Sequence, residues 1–166
     1  VPPGVPDDFV AVLRVLEAGR RVLYENGAES RETLAPGAGY QFRRKRRTVA
    51  RGMRGLWCVR GLMNPLRHPF TGFLLLSHKA LRWCTPFLML AALGLNACLA
   101  LQRPYGALLA AQAVFYALAL LPLAAPAAGR VRAIQAIRYF VLVNAATAAA
   151  WLDVLLGRSW EKWDGA

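Results

Sequence analysis

The chain has 166 residues, a formal net charge of +12 and 57% hydrophobic residues, while only 18% of its residues are charged. These values exclude an ordinary soluble domain, in which about a quarter of the residues are charged, and the apolar residues are concentrated after Trp83. Three cysteines without a C-x-x-C pair predict neither a disulfide framework nor a zinc site. The composition therefore predicts a membrane protein with a basic first half.

The first 39 residues have the pattern of the edge of a soluble α/β domain. In DDFVAVLRVLEAG, apolar side chains recur at helical spacing, and Gly19 is placed to end the helix. The next stretch, RRVLYENGAESRE, predicts a strand, a turn at Asn26 and Gly27 and a second extended segment. One helix and one hairpin cannot bury a core. We therefore expect the rest of the domain to lie upstream, in a longer gene product of which VPPGVPDD is an internal segment.

An acidic pair, Asp7 and Asp8, opens the predicted helix. Position alone favours a capping role, because an Asp side chain accepts hydrogen bonds from the free N–H groups of a helix start and complements its dipole. One of the two can fill that role while the other faces a cleft. A catalytic role for the pair therefore stays open at this point.

Residues 40–55, YQFRRKRRTVARGMRG, predict a basic amphipathic helix. Helical spacing gathers one set of cations on one face and a set of apolar side chains on another, namely Arg43, Arg47, Arg51 and Arg54 against Phe42, Val49, Met53 and Leu56. Nucleic acid is disfavoured as a partner, because no aromatic residues alternate with the cations and no groove-reading motif appears. Anionic lipid headgroups and the phosphates of a substrate remain as alternatives.

Pro65 and Pro69 then interrupt the chain, and residues 70–83 are too short an apolar run to cross a bilayer. This run predicts an interfacial helix anchored by Lys79, Arg82 and Trp83 at the level of the headgroups. The two histidines, His68 and His78, have no carboxylate or thiolate at ligand spacing. They are interpreted as polar anchors and not as metal ligands.

Three apolar stretches, 83–101, 106–125 and 139–156, approach the roughly 20 residues that a transmembrane helix needs. At least ten cations precede the first stretch, and only Arg103 lies in the link that follows it. This asymmetry predicts a cytoplasmic N-terminal part and an exported C-terminus. The tail, with Trp160 and Trp163, predicts an aromatic belt at the interface.

Three stretches also resemble one family, in order and over most of the chain: PDDFVAVLRVLEAGRRVLYENGA, FRRKRRTVARG and LMNPLRHPFTGFLLLSHKALRWCTPFLML. They are similar to the acid-led end of the catalytic domain, the Arg-rich helix at the place of Q-x-x-R-W, and the interfacial segment with the first span after it. The family is that of the membrane-integrated family 2 glycosyltransferases, which includes hyaluronan, cellulose and bacterial exopolysaccharide synthases. SHK-x-LRW-x-x-P is the most distinctive of the shared strings.

The resemblance implies roles for five residues. Asp8 matches the general base that deprotonates the acceptor sugar hydroxyl, and Asp7 supports it or caps the helix. Arg44 and Arg47 match the first and fourth positions of Q-x-x-R-W, at the acceptor and diphosphate end of the site. Thr48 stands where a Trp stacks on the acceptor sugar and Arg44 stands where Gln is usual. Both departures indicate a subgroup distant from cellulose synthase.

The resemblance also implies what this chain does not carry. The family's donor-binding half and its D-x-D group, which holds Mg²⁺ or Mn²⁺, would lie upstream, and the sequence contains no D-x-D. The chain alone would then be inactive without its N-terminal catalytic part. Its implied partners are a nucleotide sugar donor, a glycan or glycolipid acceptor and membrane lipid, in a bacterial cytoplasmic membrane. Arg51, Arg54 and Arg60 are expected to face headgroups, together with Lys79, Arg82 and Trp83.

The predicted fold is mainly α: the edge of an α/β glycosyltransferase domain, amphipathic interfacial helices and three transmembrane helices. The boundaries are 1–39 for the domain edge, 40–82 for the basic and interfacial helices, 83–157 for the membrane region and 158–166 for the aromatic tail. The expected function is sugar transfer with inversion onto a growing polysaccharide or glycolipid, with export through the membrane. The alternative is a non-catalytic anchor or adaptor whose basic helix binds anionic lipid or an acidic partner protein.

Overall fold

A computed structural model describes residues 5–31 and 37–158, and the aromatic tail with Trp160 and Trp163 lies outside these ranges. Over the described residues the chain is helical or irregular and contains no strand. The mainly α prediction is therefore confirmed. The elements are α1 (Asp7–Glu17), α2 (Ala38–Cys58), a 3₁₀ turn (Arg60–Met63), α3 (Pro69–Leu75), a π-helical turn (Leu76–Leu81), α4 (Arg82–Cys98), α5 (Tyr105–Ala124), a second 3₁₀ turn (Pro126–Arg130) and α6 (Arg132–Leu155).

Helix α1 begins and ends where the sequence predicts. Its last turn closes through the N–H of Arg20, which donates to the carbonyl of Val15 at 3.1 Å, while Gly19 adopts a φ of 71°. That left-handed conformation favours glycine because it has no Cβ. The N-cap residue is Pro6, and the acidic pair occupies the first helical turn.

The predicted hairpin after α1 is wrong, although its turn is confirmed. At the turn, the N–H of Ala28 donates to the carbonyl of Glu25 at 3.2 Å, but residues 20–31 are exposed and form no strand pair. Leu23 and Tyr24 are 86% and 88% exposed. A lone hairpin is marginal in water unless its apolar face packs against another element. No part of the described chain covers these side chains, so the extended segments remain unpaired.

Helix α2 is a single helix of 21 residues, and its apolar stripe is buried in protein. Val49, Ala50 and Met53 pack with Ala150 of α6, and Leu56 packs with the apolar side chains of α1. The expectation that this stripe lies in the water–lipid boundary is therefore wrong. The physical reason is that two neighbouring helices offer it an apolar surface, which removes it from both water and lipid.

Three helical segments are long and apolar enough to cross a membrane: Pro69–Cys98, Tyr105–Ala124 and Arg132–Leu155. The predicted second span agrees with its helix to within a residue at each end, and the third begins seven residues earlier than predicted. The predicted interfacial helix and the first span lie in one continuous helical segment, formed by α3, the π-helical turn and α4, and the interfacial position of its first part stays a prediction. The predicted break is confirmed at Pro69, which begins α3.

Helix α6 is the central helix of the membrane region. About 22% of its most apolar 18-residue stretch is buried inside the protein. The corresponding share is 6% in Pro69–Cys98 and 11% in Tyr105–Ala124. Ala146 and Ala150 are fully buried, and such small residues allow helices to approach one another closely. Most large apolar side chains of α4 and α5 are exposed, as expected for surfaces that face lipid.

Candidate functional site

The described candidate residues are organised around α2, which presents three different faces to its neighbours. A helix turns by about 100° per residue, so Arg46 and Gly55 project from opposite sides of α2. The side of Arg46 packs on α6, and the side of Gly55 packs on α1. Between these two sides, Lys45 and Gly52 face the π-helical turn and the start of α4. Each face has its own chemistry.

The face toward α1 is packed closely around Gly55. A Cβ at this position would lie 3.1 Å from Val10 and 3.2 Å from Phe9, so only glycine allows α1 to approach this closely. Arg51, on the same side of α2, donates through Nη2 to the carbonyl of Val5 at 3.2 Å. The first turn of α1 is thereby fixed beside the second half of α2.

The face toward α6 contains a buried ion pair. Arg46 donates to the carboxylate of Asp153 through Nε, at 2.6 Å from Oδ2, and through Nη2, at 2.5 Å from Oδ1. The Asp153 side chain is fully buried and that of Arg46 is 26% exposed. The hydrogen bond to Asp153 raises the pKa of Arg46 above its usual value. Two parallel bonds fix the direction of both side chains, so this pair sets the rotation of α2 against α6.

The face toward the π-helical turn is rich in cations. A cavity of about 230 Å³ is lined by Lys45 of α2, by His78 and Lys79 of the turn, and by Arg82 at the start of α4. Burial lowers the pKa of Lys45, and repulsion from Arg82, Arg44 and Lys79 lowers it further. The cations are therefore close enough to destabilise one another.

Trp83 lines this cavity and also a second, apolar one. The apolar cavity has a volume of about 630 Å³ and is lined in part by Trp57, Trp83 and Trp151. The indole N–H of Trp151 donates to the carbonyl of Trp83 at 2.9 Å, which ties α6 to the start of α4. Trp83 is half-buried, so its ring is part of the protein interior as well as a wall of both cavities.

The predicted general base and the predicted diphosphate ligands lie at different positions along the axis of α2. The base, Asp8, belongs to α1, whereas the ligands belong to α2 itself. Asp8 is exposed and takes part in none of the ion pairs formed within the described ranges, and the Asp7 side chain lies outside what the structure describes. Arg44 and Arg47 are half-buried in the first half of α2, whereas α1 packs near Gly55. Eight residues separate Arg47 from Gly55, about 12 Å along the axis.

The structure nevertheless puts Asp8 and Arg44 on one side of α2. Arg44 and Gly55 are eleven residues apart, so they project from α2 within about 20° of each other. Helix α1, which contains Asp8, packs against α2 at Gly55. Thr48 is exposed, and its hydroxyl donates to the carbonyl of Arg44 at 2.9 Å. A shared reaction site for these residues stays a prediction.

The cations expected at the membrane interface make contacts within the protein. Besides Arg51, Arg54 donates to the carbonyl of Arg158, and the guanidinium of Arg60 lies 5.3 Å from the ring centre of Trp57. The ammonium of Lys79 lies 5.0 Å from the ring centre of Phe9. Their placement at headgroup level stays a prediction.

Sequence reasoning missed the ion pair of Arg46 with Asp153. The available signal was the position of Asp153, which is the only acidic residue between Glu32 and Glu161 and lies within a predicted span. A carboxylate inside an apolar helix needs a cationic partner, and the basic helix is the densest run of cations in the sequence. The choice among the five consecutive cations of 43–47 required the rotation of α2.

Within residues 5–31 and 37–158, no group of three His, Cys, Asp or Glu side chains is arranged to bind a metal ion. Cys58 and Cys84 are half-buried, Cys98 is exposed, and all three are free thiols. A search of family models, of curated proteins and of solved structures finds no match to this chain. Function must therefore be argued from the motifs and the geometry.

Proposed function

We propose that this chain is the acceptor-side edge and membrane region of an inverting membrane glycosyltransferase. The observation that carries the proposal is the order of the three family-like strings. It is supported by the packing of the acid-led helix α1 on the Arg-rich helix α2 and by three helices able to cross a membrane. The donor-binding half and the metal site belong to the upstream part of the complete protein in this proposal.

In the proposed reaction, Asp8 accepts the proton of the acceptor sugar hydroxyl as the oxygen attacks the anomeric carbon of the donor. A carboxylate is needed there because a neutral hydroxyl is a poor nucleophile until its proton has an acceptor. Attack from the side opposite the leaving group inverts the anomeric centre and releases a nucleoside diphosphate. The exposure of Asp8 leaves its carboxylate accessible to a substrate.

Arg44 and Arg47 stabilise the leaving diphosphate in this proposal. Negative charge accumulates on the leaving group, so cations fixed before the reaction lower its barrier. The divalent metal of the complete enzyme would neutralise part of the same charge. The ion pair of Arg46 with Asp153 contributes by fixing the rotation of α2, which keeps Arg44 on the side of α1 and away from α6.

The proposal is tested in the full-length protein that contains this chain, in membranes supplied with a panel of radiolabelled nucleotide sugars. Asp8→Asn is expected to lower transfer by about 10²-fold or more without changing membrane insertion. Glu17→Gln is the matched control, because Glu17 is a second acid of α1 and pairs only with Arg14 among the described residues. Transfer by Asp8→Asn at the rate of Glu17→Gln would refute the assignment of the base.

A second pair of variants separates the diphosphate role from a general role of positive charge. Arg47→Glu is expected to reduce turnover far more than Arg60→Glu, since Arg60 contacts the ring of Trp57 and has no part in the proposed reaction. Equal losses would favour the alternative function, a membrane anchor whose cations bind anionic lipid without catalysis.

A further inference from the structure

The cation-lined cavity between α2, the π-helical turn and α6 includes Thr48 among its walls, but its cations have no role in the proposed reaction. Lys45, Lys79 and Arg82 contribute three positive charges to it, and His78 is a fourth titratable neighbour. Within residues 5–31 and 37–158, no described acidic side chain lines it. The cavity lies where the basic helix meets the first candidate span, Pro69–Cys98, so it lies within reach of the membrane surface.

The positive charge of this cavity is not compensated by the protein. In the part of the chain that the structure describes, no carboxylate forms an ion pair with Lys45, Lys79 or Arg82. Arg46, which follows Lys45 in α2, differs from these three cations because it forms an ion pair with Asp153. Lys45 is half-buried beside the exposed cations Lys79 and Arg82, and like charges held close together repel one another unless an anion binds among them.

The walls of the cavity also offer polar groups. Asn144 of α6 is only 8% exposed and lines the cavity. Its side-chain nitrogen donates one hydrogen to the carbonyl of Phe140 at 2.9 Å, and an amide nitrogen carries two. Among the described residues, the second hydrogen of this nitrogen takes part in no hydrogen bond. Three cations and a neutral donor form a set that suits the oxygens of a phosphate.

The local backbone provides an independent indication of a binding site. Leu76–Leu81 is a π-helical turn inside an otherwise α-helical segment of 30 residues. Such turns are rare and occur frequently at functional sites. This one carries His78 and Lys79, and the helix resumes at Arg82, so the irregularity coincides with the residues that line the cavity.

We propose that this cavity binds a phosphate group, with Lys45, Lys79 and Arg82 as its cationic ligands. A volume of about 230 Å³ accommodates one phosphate with part of the group that carries it. The phosphate comes either from a lipid headgroup or from a soluble phosphate, since both present the same oxygens. The site is distinct from the reaction proposed for Asp8, and its test does not involve sugar transfer.

The test uses the full-length protein in nanodiscs, with two arms. In the first, nanodiscs of phosphatidylcholine contain a minor fraction of phosphatidic acid, and native mass spectrometry measures the phosphatidic acid retained. In the second, nanodiscs of phosphatidylcholine alone are titrated with inorganic phosphate by calorimetry. Arg82→Gln and Lys45→Gln should each weaken binding about tenfold, the effect of losing one hydrogen bond to a charged group.

Arg67→Gln is the matched control, because Arg67 is an exposed cation in the turn before α3 and does not line the cavity. Binding in the first arm assigns the site to a lipid, and binding in the second arm alone assigns it to a soluble phosphate. Equal binding by the Arg82 and Arg67 variants in both arms would overturn the proposal. Without phosphate, Lys45→Gln should be at least as stable as the parent protein, because it removes one of the cations that repel one another. A less stable variant would contradict the inference that the charge of Lys45 destabilises the unliganded protein.

Discussion

The α2–α6 pair and the α4–α5 pair differ in what holds them together. Between α2 and α6 there are a buried bidentate ion pair and a core that includes Ala50 and Ala150. Between α4 and α5 there is a hydrogen bond from Asn96 to Gln112 at 2.9 Å, and the surrounding leucines are exposed. The comparison indicates that α2 is fixed by protein contacts, whereas α4 and α5 present their apolar surfaces to lipid.

Removing either partner of the buried ion pair is expected to have the largest effect. Arg46→Met or Asp153→Leu alone should lower the free energy of unfolding by about 3–5 kcal/mol, because the remaining charge loses its bidentate partner at a site largely removed from water. The double variant should recover most of that loss, since it removes both charges of the pair. Denaturant unfolding in mixed micelles measures all three. As a control, Glu29→Gln breaks a pair whose side chains are 92% and 77% exposed, and no measurable change is expected.

A larger side chain at Gly55 should have the next largest effect. Gly55→Leu forces atoms against Val10 and Phe9, which already lie 3.1 and 3.2 Å from the position of a Cβ, and overpacking of this kind costs about 1–3 kcal/mol. Gly94→Leu is the control, because nothing lies within 4 Å of a Cβ there. Both are measured by thermal unfolding in the same detergent. Equal destabilisation would mean that α1 does not pack on α2 as described.

The pH dependence of stability should identify Lys45 as a strained cation. Its pKa is lower in the folded protein than in the unfolded chain, chiefly through burial and then through Arg82, Arg44 and Lys79. Protonated Lys45 therefore destabilises the fold below its folded pKa, and stability should rise with pH between that value and the ordinary lysine pKa, about 10.4. His78 also lines the cavity.

The difference in unfolding free energy between the parent protein and Lys45→Gln isolates this contribution from other groups that titrate in the same range. The difference should change with pH in the direction given above. A difference that stays constant from neutral pH to beyond the ordinary lysine pKa would show that Lys45 is not strained by its neighbours.

The smallest effect is expected at the α4–α5 pair. Asn96→Leu should cost about 0.6 kcal/mol, the average of interhelical hydrogen bonds in membrane proteins. A double-mutant cycle with Gln112→Leu, read by unfolding in mixed micelles, isolates the coupling between the two side chains. A coupling as large as the loss on breaking the ion pair of Arg46 would remove the difference between the two helix pairs.

The positions of the helices were predicted better from the sequence than the contacts that each segment makes with the rest of the chain. The bounds of α1 followed from apolar spacing and from Gly19, and the second span followed from its length and composition. Both signals are local, because they depend on side-chain period and on one residue's backbone freedom. The strand pair failed for the opposite reason: extended segments are stable only when another strand or a core completes them.

The candidate site was predicted only in part. The basic helix was predicted from its spacing and is present as α2, but the environment of each of its cations was not predicted. The cations of 43–47 are alike in composition, yet Arg46 pairs with Asp153 and Lys45 faces a cavity. Neighbours in a helix point about 100° apart, so their environments depend on the rotation of α2. No local pattern specifies that rotation.

The sequence by itself determined that the chain has a basic amphipathic helix and three apolar segments able to span a bilayer, because charge, period and length are properties of consecutive residues. Only the tertiary structure decided that Arg46 is neutralised and that Lys45, Lys79 and Arg82 line one cavity. The reason is that one acid, Asp153, lies 107 positions from its partner Arg46. Their contact depends on how α2 packs against α6, which is a property of the whole fold.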